Sequence, residues 1–198
     1  MIDRKKEKLV LIASSTGGPK ALHELVPVID KNIDAPVVII QHMPKGFTAS
    51  LADRLNDVSD ISVSETKDGE VLQKGHVYLA KGGNHLLLFK DNQGMLRFEH
   101  TDDEPVNGLR PCANITFLSV NEIPIDYIVC AVLTGMGADG CAAIRELRKT
   151  KKIYTIAQSK ETCVVYGMPR AIVANGIADA VLPLEEIGKE ITKITGVR

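Results

Sequence analysis

The chain has no excess of either charge: 24 Lys and Arg against 25 Asp and Glu leave a formal net charge of −1 over 198 residues. A general phosphate binder needs a basic face or stripe, so no nucleic-acid partner is expected. Four cysteines, Cys112, Cys130, Cys141 and Cys163, show neither paired metal-ligand spacing nor the framework of a small secreted protein. They read as reduced thiols in a cytoplasmic protein. No run is apolar and long enough to span a bilayer, and Met1-Ile2-Asp3-Arg4-Lys5 lacks the apolar core of a signal peptide, so no membrane insertion is expected. Also missing are a repeat, a low-complexity tract and a linker; Asp102 to Pro111 reads as a loop that could equally be a domain seam. Residues 1–198 are therefore expected to form one soluble domain, with the basic cluster Arg4, Lys5, Lys6 and Lys8 in a solvated arm over residues 1–8.

Present instead are unbroken aliphatic runs, which suit parallel strands covered on both faces. Leu9-Val10-Leu11-Ile12-Ala13, Val37-Val38-Ile39-Ile40 and Ile128-Val129-Cys130-Ala131-Val132-Leu133 each end in a turn marked by glycine or proline. Further strands are expected at Ile61 to Ser64, Ile153 to Ala157 and Ala180 to Leu182. Helical patterns alternate with them at Pro19 to Ile29, Thr48 to Val58, Pro111 to Val120, Ala142 to Arg148, Met168 to Ala174 and Leu184 to Ile194. This alternation predicts an α/β fold with a mostly parallel sheet. His85 to Lys90 and Met95 to His100 flank Asp91-Asn92-Gln93-Gly94, a hairpin signal, which predicts an antiparallel appendage near one edge.

Ligands bind outside the carboxyl ends of such strands, and Ser15, His42 and Asp139 lie just past three of them. Together they could supply the nucleophile, base and orienting acid of acyl transfer. Each has a plain alternative. Ser15 in Ser15-Thr16-Gly17-Gly18 could cap a helix, His42 could be a hydrogen-bonded structural residue, and Asp139 before Gly140 could cap the helix that follows. Ser14 competes as nucleophile, but strand alternation lets only one of the pair face a pocket. His23, His76, His85 and His100 read as packing or surface residues, and Cys141 as core. The glycines after the first strand could hold a phosphate, yet Gly-x-Gly-x-x-Gly and Gly-x-x-x-x-Gly-Lys-Ser/Thr are both absent there. The Gly-x-Ser-x-Gly elbow and the serine, acid, histidine order of the α/β-hydrolases are absent as well.

The blocks Ser14-Ser15-Thr16-Gly17-Gly18-Pro19, Gln41-His42-Met43-Pro44-Lys45-Gly46-Phe47-Thr48, Pro105-Val106-Asn107 with Arg110-Pro111, Leu133-Thr134-Gly135-Met136-Gly137-Ala138-Asp139-Gly140 and Tyr166-Gly167-Met168-Pro169 resemble the signatures of the chemotaxis protein-glutamate methylesterases (CheB). The resemblance implies a three-layer α/β/α domain with a peripheral hairpin. It makes Ser15 the nucleophile, His42 the general base and acid, and Asp139 its orienting partner. Thr16 would help hold His42, the Met136 amide would serve an oxyanion hole, and Arg110 is the candidate for meeting an acidic receptor surface. The implied activity is hydrolysis of glutamate methyl esters on the cytoplasmic helices of methyl-accepting chemoreceptors, and it extends to deamidation of receptor glutamines. The alternative is a noncatalytic receptor-binding or regulatory domain of the same fold. No metal or organic cofactor is implied.

The chain departs from the family pattern in three places. Only about eight residues precede the first strand, where relatives commonly carry a receiver domain, so it reads as a stand-alone esterase or an excerpt. Control would then fall to a receiver domain or a chemotaxis kinase in trans. Ala13 replaces a glycine just before the serines, and Arg110-Pro111-Cys112-Ala113-Asn114 stands where relatives often read Arg-Pro-Ser-Val-Asp.

Overall fold

A computed structural model describes residues 6–198. Arg4 and Lys5 of the expected arm lie outside the described residues. Lys8 does not belong to an arm: it opens the first strand, and its ammonium meets Asp34 and the Thr195 carbonyl.

The chain builds a seven-stranded parallel sheet in the order β3-β4-β2-β1-β7-β8-β9. Its strands are β1 (Lys8–Ser14), β2 (Val37–Gln41), β3 (Ser62–Glu65), β4 (His76–Leu79), β7 (Tyr127–Val132), β8 (Ile153–Gln158) and β9 (Ala180–Leu182). β1 lies between β2 and β7, with Val10 beside Val37 and Val129, and its residues from Leu9 to Ser14 are fully buried. Such burial on both faces explains why these strands read as continuous aliphatic runs.

Alternate side chains feed two cores. Leu9, Leu11, Ala13, Cys130 and Val132 point to one face, and Val10, Ile12, Val129 and Ala131 to the other. Helices α1 (Gly18–Leu25), α2 (Thr48–Asp57) and α6 (Leu184–Thr195) cover the second face with Leu22, Leu55 and Ile191. Helices α3 (Ala113–Ser119), α4 (Cys141–Leu147) and α5 (Met168–Ala174) cover the first with Phe117, Ile144 and Ile172. The expected helix from Pro19 to Ile29 is shorter: Pro27 has no amide to donate, and Val26–Val28 tightens into a 3-10 turn.

One strand goes beyond the sequence reading. His76–Leu79 was not expected as a strand, because its four residues give too short a pattern, yet β4 sits inside the sheet between β2 and β3. The expected antiparallel hairpin, β5 (His85–Lys90) and β6 (Leu96–Thr101), forms its own two-stranded sheet. Leu86, Leu88, Leu96 and Phe98 join the α3–α5 core, and Phe98 meets Tyr78 of β4 edge-on at 5.0 Å between ring centroids. An apolar stripe of this kind is buried against a face of the main sheet.

Candidate active site

The three adjacent strands β2, β1 and β7 deliver His42, Ser15 and the Asp139 loop to the same end of the sheet. Successive strands fan out from β1 in opposite directions, so this is the switch point at which an open parallel sheet leaves a crevice. An open cavity of about 630 Å³ occupies it, lined by Ser15, Thr16, His42, Asn107, Met136 and Asp139 among others.

Strand alternation separates the two serines. Ser14 is fully buried, and its hydroxyl donates to Gln41 Oε1 at 2.7 Å. Ser15 faces the cavity, and its hydroxyl makes no hydrogen bond among the described residues. Its backbone amide donates to the Thr134 carbonyl at 3.0 Å, which pins it to the end of β7. Gly135 packs directly beneath: a Cβ there would stand 2.7 Å from Ser15 Cβ and 2.5 Å from Met168 Sδ.

His42 Nε2 lies 2.7 Å from Asp139 Oδ2, with both side chains under a tenth exposed. An ionised carboxylate only accepts, so Nε2 carries the proton and Nδ1 keeps its lone pair. Ser15 and His42 line the same cavity without a hydrogen bond to each other.

Asp139 is held from several sides. Oδ2 also accepts from the Ala113 amide at 2.6 Å, while Oδ1 accepts from Asn114 N at 2.9 Å, Gly140 N at 3.0 Å and Cys112 Sγ at 3.2 Å. Burial alone would raise its pKa, but these donors and His42 outweigh it and leave the carboxyl lowered. Burial and the Asp139 charge push the Cys112 thiol up to about 11, so it stays protonated. Asp139 therefore caps α3, not principally the helix that follows it. The carbonyl oxygen of the Asn114 side chain returns the arrangement, accepting from Gly140 N at 3.1 Å and Ala143 N at 2.9 Å at the start of α4.

Other expected residues fall in varied places. Thr16 lines the cavity and makes no hydrogen bond to His42 among the described residues; its backbone carbonyl accepts from Thr134 Oγ1 at 2.9 Å. Met136 is 72% exposed at the cavity mouth, and its amide donates to no protein acceptor among the described residues. Arg110 lines a second hollow beside His42, and its Nη1 donates to the Asp102 and Asp103 carbonyls at 2.9 and 3.1 Å. Cys141 is the first residue of α4 rather than a helix-interior one, buried, with Sγ on the Ala171 carbonyl.

Gln41 was not singled out. It is buried at the end of β2, and its Nε2 donates to the Ser15 and His42 carbonyls at 3.0 and 3.1 Å while Oε1 holds Ser14. Gly18 leaves room for it, since a Cβ there would lie 1.9 Å from Oε1. A polar residue closing an aliphatic strand was the available signal.

The chain is 46% identical over 192 residues to a protein-glutamate methylesterase/protein-glutamine glutaminase of Syntrophomonas wolfei, covering 96% of this chain and 54% of the relative. A protein of the same name in Bacillus subtilis is 43% identical over 185 residues, covering 93% of this chain and 52% of the relative. The chain thus spans about half the length of the curated relatives it matches. The crystal structure of the Thermotoga maritima CheB methylesterase catalytic domain superposes with a TM-score of 0.90 at 39% identity, covering 96% of this chain and 99% of that one. The family model for CheB methylesterase matches residues 10–191, and the chain belongs to that family.

Proposed function

We propose that this chain is a serine hydrolase that removes methyl groups from glutamate methyl esters on chemoreceptors, the adaptation step of chemotaxis. The observation that carries the reading is the buried Asp139 carboxylate 2.7 Å from His42 Nε2, with Ser15 on the same cavity. Ser15 Oγ attacks the ester carbonyl carbon while Nδ1 of His42 takes the hydroxyl proton, and Asp139 stabilises the imidazolium. The oxyanion is met by the unpartnered Met136 amide. His42 then protonates the departing methoxide, which leaves as methanol. Water, activated by the same imidazole, hydrolyses the acyl-enzyme, restoring the carboxylate and Ser15.

Deamidation of receptor glutamines would follow the same steps through the same tetrahedral intermediate, with ammonia as the poorer leaving group. The substrate is a receptor helix laid across the crevice in the cytoplasm, with Arg110 at its rim. A receiver domain or a chemotaxis kinase in trans would regulate access.

The test is methanol release from methylated chemoreceptor membranes. Release by the folded chain is the expected result; none, with or without a phosphorylated receiver domain, would favour a noncatalytic receptor-binding or regulatory domain. Arg110→Ala is expected to lower receptor turnover and leave hydrolysis of a small ester unchanged, and equal receptor kinetics would remove Arg110 from recognition.

A further inference from the structure

We propose that Cys112 is a positioning residue whose thiol, donating to Asp139 Oδ1, keeps the opposite oxygen of that carboxylate turned to His42; this rests on the serine-hydrolase reading above. Cys112 occupies the N-cap position of α3 with an extended backbone, and only 1% of it is exposed. Apart from His42, it is the one side chain among the described residues that donates to Asp139; the remaining donors are backbone amides. Those amides belong to the first turn of α3 and to Gly140, so they fix where the carboxylate sits. The thiol adds a third donor to Oδ1, the oxygen that does not touch His42. A partial turn of the carboxylate would pull Oδ1 off these three donors, which opposes any motion that would draw Oδ2 from Nε2.

The chemistry of the group suits the role. A neutral thiol is a weak donor, but a charged acceptor strengthens the bond, and the partner here is a buried ionised carboxylate. Cys112 does not reach the cavity lining, so it would touch neither substrate nor the reacting atoms. Its effect should pass through Asp139 and His42 to the reactivity of Ser15. A hydroxyl at the same position would also donate, whereas a methyl group would leave Oδ1 with the two amides alone.

The test is the rate at which a fluorophosphonate probe labels Ser15, with Ser15→Ala as the unlabelled control and thermal melting recorded for each variant. Cys112→Ala is expected to slow labelling about 5-fold with melting close to that of the parent, the size of effect expected for one weak hydrogen bond to a charge. Cys112→Ser should return labelling to within about 2-fold, because it restores a donor. If Cys112→Ala labels at the parental rate, or Cys112→Ser is as slow as Cys112→Ala, the thiol serves packing only and the proposal is overturned. If the parent is not labelled at Ser15 at all, the serine-hydrolase reading fails and this proposal with it.

Discussion

Asp139 shows how a helix cap and a contact with His42 coincide in one carboxylate. The sequence offered these as alternatives, since Asp139 precedes Gly140 and a helical pattern. In the structure the carboxylate caps α3 from outside and faces His42 with the same oxygen that takes the Ala113 amide. The pKa direction gives a prediction. Burial opposes ionisation, but the bonds from His42, Asn114, Ala113 and Cys112 prevail, so the folded carboxyl lies below its unfolded value of about 4. Its contribution to stability is then full above that value and is lost as pH falls through the lower folded-state value. Between pH 6 and pH 3 the parent should lose more stability than Asp139→Asn in urea unfolding, and parallel curves would contradict this. Gly135 supplies a second prediction. A Cβ would overlap Ser15 Cβ and Met168 Sδ. Gly135→Ala should cut turnover about 100-fold through displacement of Ser15 by a fraction of an ångström, with the fold retained. Esterase activity near the parental level would show that the loop absorbs the methyl group. That Ser15, His42 and Asp139 share one cavity was legible because they follow strand ends, but their supports were not. Gln41 reaches the Ser15 carbonyl and Asn114 the Gly140 and Ala143 amides, backbone groups distant in sequence, and neither residue lies in a pattern that local spacing reveals.

At the scale of elements, the site depends on helix starts that cap one another. Asn114 at the start of α3 takes the Gly140 and Ala143 amides of α4, and Asp139 before α4 takes the Ala113 and Asn114 amides of α3. Asn114→Ala would leave the Ala143 amide without its partner and the Gly140 amide with Asp139 alone, and should lower stability by about 1–2 kcal/mol, read as a drop in the urea midpoint. It should also lower turnover, because the Asp139 loop loses its anchor. Unchanged stability would mean that water or a neighbour replaces the amide oxygen. The long aliphatic strands and amphipathic helices were readable from their periods. β4 was not, because its identity comes from its neighbours: Val77 sits beside Val37 on one side and Val63 on the other. The hairpin was readable as a hairpin from Asp91-Asn92-Gln93-Gly94, whereas its docking through Phe98 and Leu88 depends on a face that exists only after the sheet forms.

For the molecule as a whole, stability rests on two cores on either side of the sheet, without cross-links, since all four cysteines are free. Cys112, Cys130 and Cys141 are buried and Cys163 is half-buried, and burial raises every one of these thiols, Cys163 to about 11. Since the thiolate is the reactive form, the native protein should react slowly with a thiol reagent at pH 8 and release all four groups only on unfolding. Rapid loss of a thiol from the native state would contradict this. No helix among the described residues is long and apolar enough to cross a membrane. The face that carries Ser15 and His42 also presents exposed apolar side chains, Met136 at 72% and Phe47 at 59%.

The central claim is that Ser15, and not the serine beside it, performs ester hydrolysis. Its most direct test is methanol release from methylated chemoreceptor membranes by the parent, Ser15→Ala and Ser14→Ala proteins, each shown to be folded. The account predicts release by the parent, none above background from Ser15→Ala, and reduced but measurable release from Ser14→Ala, whose hydroxyl only braces Gln41. Release by Ser15→Ala at the parental rate would contradict it.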